Sequence, residues 1–552
     1  MTINRNAARQ LVTPNLSKNS FDLSNFWRGT TRMGTVTPVR WDDVTANSNW
    51  RIRTNFRAKF APVVFPFDHR VDIQYMTGFI PYRLMMPNAG SAHTSWENWI
   101  MGDPKSRHVE DLLPWTTIDD ANKANWYRGT VNNHLGLPPL DGLTIHADGE
   151  IDINVLPNLA YAMLYDEFLR NPWVQERRCG VGATYEIDLY AKDYTGGGAP
   201  LASLSQNQQA NYDADYFMGA LPEAYSGAST DVELDLDVYG TDGVVYWEET
   251  SSLNVPDAGD AQFDGADRRL RSAAGDTLKF RNGVAAGLES TLEILELRRS
   301  QALTRFLEAE NRSGEENYDD WLKVMFGHDV NFEYARPTYL GGGRQAINVT
   351  EVLSTAETYD YATNDLTDQQ TLNPQGSQVG HAMVSSGGET INFFAREPGI
   401  IMTVLVVKPK PAYMGGIEKF WLKDDRTEFF NHHFQGIGDQ AILNTERGYD
   451  CTAGADNTGE WAYSTRWEEY KQKYDFITGD YQINGLDGWH LGKLHDMDEA
   501  PTFNELELQI TPDDDENIRI FADQTGTYDE IWLQVYNDVQ VVLPMHKIDI
   551  PK

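Results

Sequence analysis

The chain has 552 residues, of which 41% are hydrophobic and 12% are aromatic, and this composition excludes a disordered protein. Its 82 acidic and 46 basic side chains give a net charge of −36, so the surface as a whole cannot neutralise a nucleic acid. The only cysteines, Cys179 and Cys451, exclude a disulfide framework and argue against a thiolate metal cluster. We predict that both are buried free thiols.

The first sixty residues form a basic segment on an otherwise acidic chain. They contain ten Lys and Arg residues against three Asp, a net charge of +7, which leaves −43 on the rest. We predict that residues 1–60 form a basic N-terminal arm followed by a first strand. The opposite charges of the two parts indicate two surfaces that face different partners.

The segment that opens the chain, MTINRNAARQLVTPN, lacks the apolar run of a signal peptide. The longest apolar run, GIIMTVLVV from Gly399, is about half as long as a membrane span. We therefore expect the protein to fold in a reducing cytoplasm without membrane insertion.

Strand patterns begin in the basic segment and return in the C-terminal third. Apolar and polar residues alternate in several stretches, which predicts strands with one buried face. These stretches are residues 56–60, 71–76, 389–395, 528–536 and 539–543. The run from Gly399 to Val407 is almost entirely apolar and predicts a strand that is buried on both faces.

Helix patterns are few. The segment from Leu156 to Arg170 has Pro157 in its first turn, where a missing N–H costs little, and it is apolar on nearly all sides. Residues 288–312 carry a leucine-rich stripe at helical spacing, and residues 316–326 complete a helical pair.

An acidic segment, residues 199–287, separates these helices and is rich in turn-forming residues. From Glu223 to Gly283 it carries thirteen acidic and five basic residues. The stretch DVELDLDV from Asp231 alternates and predicts a strand with one carboxylate-lined face. Because a structureless loop of this length is unusual in a compact domain, we interpret the segment as a surface insertion with strands of its own.

Catalytic and cofactor-binding motifs do not stand out. No Gly-Lys-Ser/Thr follows a glycine-rich turn, and no GxSxG lies between a strand pattern and a helix pattern. His432 and His433 are adjacent and would point to opposite faces of a strand, while His490 and His495 do not align on a helix. We therefore predict no catalytic residue, no metal site and no cofactor.

Seven short motifs occur in a fixed order between residues 79 and 491. They are FIPYRL from Phe79, NVLPNLAYAMLYDEFLR from Asn154, DYFMGALP from Asp215, RPTYLGGGRQAINV from Arg336, GDQAILN from Gly438, RWEEYK from Arg466 and LDGWHL from Leu486. As an ordered set they resemble the major capsid protein of microviruses, the small icosahedral bacteriophages with single-stranded DNA. The gokushovirus-like branch is the closer match.

The resemblance implies a mainly β fold, an eight-stranded antiparallel jelly roll with long loop insertions and a few helices. It implies a structural role, with about sixty copies forming a T=1 shell around circular single-stranded DNA. The implied partners are further copies of the chain, single-stranded DNA, a small basic DNA-packaging protein, an internal scaffolding protein, a pilot protein and the host cell surface.

The same resemblance implies a location in the virion capsid, after assembly in the cytoplasm of the host bacterium. The acidic insertion, residues 199–287, would then build a protrusion at the threefold axes and contribute to host attachment. An alternative is a secreted, acidic β-sandwich that binds or hydrolyses carbohydrate. Its candidate sugar platforms are Trp96, Trp99, Trp461 and Trp467.

The basic segment supplies the candidate contacts with DNA on the inner surface of such a shell. These are Arg5, Arg9, Lys18, Arg51, Arg53, Arg57 and Lys59. The last four interleave with Trp50, Phe56 and Phe60, and cations beside aromatic rings can hold phosphates and stack unpaired bases. Ion pairs between Arg51–Lys59 and the acidic body of a neighbouring subunit are an equally supported alternative.

Overall fold

The computed structural model describes residues 18–87, 95–101, 113–224 and 336–546, and four short strands between residues 246 and 281. Short gaps fall at 66, 181–186, 192, 195–198, 354–357, 360–370, 374–377, 435–437, 483–485, 494, 496–501, 524 and 527. Arg5, Arg9, the two helices predicted at 288–312 and 316–326 and the strand predicted at Asp231 lie outside the described residues.

The chain divides into two compact units, residues 1–224 with 329–552, and residues 225–328. The first unit contains two antiparallel sheets, whose strands we number β1 to β10. They are β1 Asn19–Asp22, β2 Asn25–Thr31, β3 Thr37–Val44, β4 Ser48–Phe60, β5 Val71–Pro81, β6 Thr338–Ala346, β7 Asn348–Leu353, β8 Gln378–Ala395, β9 Gly399–Pro409 and β10 Ile531–Leu543. The first sheet has the order β1–β10–β4–β8–β7, with β2 also paired to β10, and the second has the order β6–β5–β9–β3.

The two sheets pack face to face as a sandwich. Phe56 and Val535 of the first sheet share a hydrophobic core with Ile73 and Leu405 of the second. Strand β4 alternates strictly between buried and exposed side chains, as its sequence predicts, because successive residues of a strand point to opposite faces. The first sheet therefore has one core face and one open face.

The two inner strands of the second sheet, β5 and β9, are covered on both faces. All eleven residues of β9 are buried, which confirms the predicted fully buried strand. The helix Leu156–Phe168, also predicted, covers the side away from the first sheet, and its Leu159 packs in one cluster with Met402 of β9. Gly78 of β5 permits this approach, because a Cβ there would lie 2.9 Å from the Leu164 side chain.

The last strand is longer than the sequence predicts. The sequence predicts two stretches, 528–536 and 539–543, whereas β10 is continuous from Ile531 to Leu543. Asn537 and Asp538, the polar residues between the two stretches, stay paired with Thr54 and Arg53 of β4. The pairing with a long neighbouring strand therefore maintains the extended backbone where the apolar alternation weakens.

Shorter elements connect the sheets. Within the described residues, the α-helices besides Leu156–Phe168 are Tyr82–Met85, Trp96–Met101, Val131–His134, Ala199–Ser205, Lys419–Leu422, Asn444–Arg447, Glu505–Leu508 and Asp515–Ile518. The 3₁₀ turns are Lys123–Trp126, Ala147–Gly149, His432–Phe434, Glu468–Tyr470, Gly479–Gln482 and Asp487–Trp489. Two-stranded pairs join Trp115–Ile118 to Ile151–Asn154, Cys179–Gly180 to Ile187–Asp188, Thr358–Tyr359 to Thr371–Asn373, Ala412–Tyr413 to Asp475–Phe476, and Asp439–Leu443 to Glu460–Thr465. Among the residues placed here, no helix is both long and apolar enough to cross a membrane.

The second unit, residues 225–328, contains two described hairpins. One pairs Tyr246–Glu249 with Leu278–Arg281, and the other pairs Gln262–Asp264 with Arg269–Arg271. The unit overlaps the acidic insertion predicted at 199–287 but begins later. Residues 199–205 form a helix of the first unit, where Leu204 packs in the same cluster as Leu159.

Candidate nucleic-acid-facing surface

The open face of the first sheet carries the basic residues of β4. Arg51, Arg53 and Arg57 are exposed there and Lys59 is half-buried, because residues two apart along a strand share a face. Arg28 of β2 is exposed on the same side, two strands away. We call this surface the basic face, and we define it by the outward residues of β4 together with those of β1, β2, β8 and β10.

The aromatic residues that interleave with these cations in sequence lie on the opposite face. Trp50, Phe56 and Phe60 are at most 3% exposed and belong to the sandwich core. The prediction that they stack bases beside the cations is wrong, because a strand sends alternate side chains to opposite sides. Neighbouring strands supply the aromatic side chains of the basic face instead, and these are Phe26, Phe394, Trp532 and Tyr536.

Strand pairing places amide side chains beside the cations. Arg51 lies between Gln540 of β10 and Asn392 of β8, and Arg57 lies opposite Gln534. Directly opposed residues of an antiparallel pair have Cβ atoms about 5 Å apart, so these side chains can contact the same ligand. The basic face thus combines charged donors with amides that can both donate and accept hydrogen bonds.

Few groups of the chain compensate the cations of the basic face. The Arg53 Nε donates to the carbonyl of Gly388 at 3.0 Å, and the Arg57 guanidinium lies 3.3 Å from the Met383 sulfur. Within the described part of the chain, no ion pair involves Arg28, Arg51, Arg53, Arg57 or Lys59. On a chain with a net charge of −36, such a group of uncompensated cations indicates an anionic partner.

Asp538 and Asp22 share the face without neutralising it. Asp538 lies directly opposite Arg53 in the pairing of β10 with β4. Asp22, in β1, accepts hydrogen bonds from the hydroxyl and the N–H of Ser24, and these donors hold the pKa of Asp22 below its usual range. Both carboxylates therefore sit among a larger number of cations.

A hollow of about 450 Å³ opens on the basic face around Arg51. Its lining residues are Ser20, Asn49, Trp50, Arg51, Asn392, Phe393, Phe394, Gln540, Val541 and Val542. Lys18 stands at its edge, with its Nζ 2.7 Å from the Asn47 Oδ1 and 5.7 Å from the centre of the Phe394 ring. A cation, amides and an open aromatic ring are the groups that hold a phosphate, a base edge and a base plane.

The sequence does not predict that β2, β8 and β10 contribute side chains to the basic face. Trp532, Gln534 and Tyr536 alternate with apolar residues, so the sequence does show that they share a face. It does not show that this face continues the one carrying Arg57, because Gln534 and Arg57 are paired across 477 positions of the chain. The register between distant strands, which the sequence does not show, is needed to place these side chains on one face.

Other predicted features differ in detail. His432 and His433 lie in a 3₁₀ turn rather than a strand, with ring centres 3.9 Å apart. The described ranges contain no group of three or more His, Cys, Asp or Glu residues placed to hold a metal ion. Cys179 is buried, but Cys451 is exposed, so the prediction of two buried thiols is wrong for Cys451.

Comparison with known proteins defines the class, a phage capsid protein. The chain matches the capsid protein (F protein) family over residues 10–551. It is 23% identical to capsid protein VP1 of Bdellovibrio phage phiMH2K, with 99% of this chain and 98% of that protein covered. It is 22% identical to capsid protein VP1 of Chlamydia phage 1, with 92% of each covered, and 21% identical to that of Spiroplasma virus 4, with 67% of each covered. The chain belongs to the capsid protein (F protein) family.

Family membership confirms the resemblance carried by the seven motifs. The chain is a phage major capsid protein, a structural component of the virion that assembles with copies of itself. The carbohydrate-binding or hydrolase alternative is therefore wrong. Two of its proposed sugar platforms, Trp461 and Trp467, are also buried, with exposures of 5% and 3%.

Proposed function

We propose that this chain forms a T=1 shell of about sixty copies around circular single-stranded DNA, with the basic face on the inner wall. The two-sheet sandwich would be the jelly roll of that shell. One observation carries the proposal: an acidic chain presents, on one sheet face, open aromatic rings, amides and cations that form no ion pair within the described residues. Single-stranded nucleic acid is the polyanion that uses all three.

The acidity of the chain limits how much DNA charge this face can balance. Each copy carries −36, so most phosphates of an enclosed genome need another source of positive charge. A small basic DNA-packaging protein meets that need, and we include it among the partners. The basic face then binds and orders part of the DNA at the inner surface of the shell.

The double variant Arg51→Gln with Arg57→Gln tests the electrostatic half of this proposal. Binding of single-stranded DNA by dissociated subunits is measured as a function of salt. The slope of log K against log salt should fall by about 1.4, because each phosphate contact on a single strand contributes about 0.7. The matched control is Arg128→Gln with Arg336→Gln, which removes the same charge from exposed sites outside the basic face, where each arginine lies beside a carboxylate.

The aromatic half is tested by Trp532→Ala with Tyr536→Ala. This variant should weaken binding at every salt concentration by about 1–3 kcal/mol per stacked base while leaving the salt slope unchanged. Equal slopes in the Arg51/Arg57 variant and its control would overturn the DNA-facing assignment. If those arginines instead bridge to neighbouring subunits, the variant particles should dissociate more easily with unchanged DNA affinity.

We further propose roles for the N-terminal arm, the acidic insertion and two more partner proteins. The arm with Arg5, Arg9 and Lys18 faces inward, so protease should cut it only after particles are disrupted. Of the acidic insertion predicted at 199–287, the part in the second unit, residues 225–287, projects outward at the threefold axes and takes part in host attachment. Deleting 223–283 should leave shells that adsorb poorly. A scaffolding protein and a pilot protein are further partners, and assembly takes place in the host cytoplasm.

A further inference from the structure

Residues 417–434 and 466–482 form a second surface, which we call the aromatic shelf. Its large side chains are open to solvent, with exposures from 37% for Phe434 to 76% for Trp421. The exposed members are Phe420, Trp421, Phe429, Phe430, Phe434, Tyr470, Phe476 and Tyr481. Such a concentration of exposed aromatic surface on a folded subunit marks an interaction site.

Contacts among these side chains make the shelf one surface. The rings of Phe430 and Tyr470 lie 6.3 Å apart between centres. The Lys423 ammonium lies 4.5 Å from the centre of the Tyr470 ring and 5.6 Å from that of Phe429. The two chain segments are therefore joined by ring contacts and by one shared cation.

A groove of about 390 Å³ lies at one end of the shelf. Trp421 and Phe476 line it and are 76% and 70% exposed, so they project above its floor. Tyr413 and Met414, both buried, line its inner part. The surface thus has both projecting rings and a recess of the size of a few side chains, the two features that interlocking interfaces need.

The base of the shelf is held in a strained but well-supported conformation. Trp467 has a φ of 60°, a left-handed value that is costly for a bulky residue. Its N–H donates to the Gln440 side chain at 2.8 Å, and its indole N–H donates to the Glu428 carbonyl at 3.2 Å. Backbone strain of this kind persists where the surroundings fix it, and it keeps the exposed rings in defined positions.

The charges of the shelf favour a copy of this chain as the occupant. Two copies with a net charge of −36 repel each other except where charge is locally compensated. Each of the four shelf lysines is ion-paired within the chain: Lys419 with Glu446, Lys423 with Glu469, Lys471 with Glu468 and Lys473 with Glu418. The two shelf arginines, Arg426 and Arg466, form no ion pair within the described residues, so they are the cations that can face carboxylates of a second, acidic copy.

We propose that the aromatic shelf is an intersubunit contact, covered in the assembled capsid by a second copy of this chain. Capsid assembly from copies is established by the family, and this surface is where the described chain combines aromatic anchors with a recess. The inference rests on the closed shell proposed above, but not on the assignment of the basic face.

Trp421→Ser and Phe476→Ser test the contact, because both side chains are mostly exposed in the single subunit. Each should leave the thermal unfolding of dissociated subunits unchanged. Each should raise the subunit concentration needed for half-maximal assembly by about thirtyfold or more, the usual effect of removing an aromatic anchor from an interface core. Tyr528→Ser, at a ring that is 67% exposed outside the shelf, is the matched control and should assemble normally.

Hydrogen exchange of the unmodified protein gives an independent test. Peptides 417–434 and 466–482 should exchange more slowly in intact particles than in dissociated subunits. A photo-cross-linking residue at position 476 should yield a product of twice the chain mass. Equal exchange in both states, or a cross-link to a different virion protein, overturns the proposal even if the particles form and contain DNA. Failure of the unmodified protein to form particles would instead refute the closed shell.

Discussion

The two sheets of the sandwich differ in how many of their faces are covered, and their sequences differ accordingly. Strand β9 lies between the first sheet and the helix Leu156–Phe168, and all its side chains are buried. Only one face of strand β4 is covered, and the strand alternates between core residues and polar residues, most of which are cations. A strand that is covered on both faces therefore lacks the alternating polar residues. A strand with one open face keeps them, and they can bind a partner.

The largest expected effect is on the free energy of unfolding, and it differs between substitutions in the two sheets. Leu405→Ala in β9 should lower the free energy of unfolding of the dissociated subunit by about 3 kcal/mol, because it leaves a cavity in a tightly packed core. Trp532→Ala on the basic face removes a larger side chain that is 49% exposed, and it should cost less than about 1 kcal/mol. Urea unfolding measures both, and similar losses would contradict the assignment of covered and open faces.

A smaller expected effect is on the pH dependence of stability. It differs in sign between a carboxyl on the helix that covers the second sheet and a carboxyl on the basic face. Asp166, on the helix that covers the second sheet, accepts the N–H groups of Arg178 and Cys179 at 2.9 and 2.7 Å. Burial nevertheless raises the pKa of Asp166 to about 6. The folded state thus binds this proton more tightly than the unfolded state, and the stability it contributes is present at low pH and lost as pH rises through about 6.

The variant Asp166→Asn should remove this dependence. The free energy of unfolding of the unmodified subunit should fall between pH 5 and pH 7 as Asp166 loses its proton. In the variant, this fall should be smaller by about 1 kcal/mol. Asp22→Asn on the basic face is the control of opposite sign, because hydrogen bonds from Ser24 lower the pKa of Asp22. The contribution of Asp22 is present above its unfolded-state pKa and lost on acidification. An unchanged pH profile for Asp166→Asn would show that its carboxyl is not buried as described.

The comparison also shows what the sequence could predict. Alternation in β4, the apolar run of β9 and the early Pro157 identified two strands and a helix, because each reflects local geometry. The sequence could not show which strands lie beside β4, so it assigned Trp50 and Phe56 as partners of the cations. Tyr536 and Phe26, whose ring centres lie 4.6 Å apart on the basic face, come from opposite ends of the chain.

The aromatic shelf was equally invisible to local patterns. Tyr470 belongs to the motif RWEEYK, whereas Phe430 lies outside the seven motifs, and only the folded chain brings the two rings together. The motif RWEEYK was recognised by resemblance, but its physical role depends on the left-handed conformation of Trp467. Periodicity predicts regular strands and helices, and it carries no information about a turn that long-range hydrogen bonds hold in place.

The smallest expected effect concerns the one acidic residue opposite a cation on the basic face. Asp538 and Arg53 face each other across β10 and β4 but form no ion pair within the described residues, so their coupling in the free subunit is weak. Asp538→Asn should therefore change the free energy of unfolding by less than about 0.5 kcal/mol. It should strengthen single-stranded DNA binding by about twofold, because it removes a negative charge from a surface that binds phosphates. Arg53→Gln is the matched variant and should weaken binding. If both variants leave DNA affinity unchanged but alter particle dissociation, Arg53 contacts a neighbouring subunit and the basic face lies between copies.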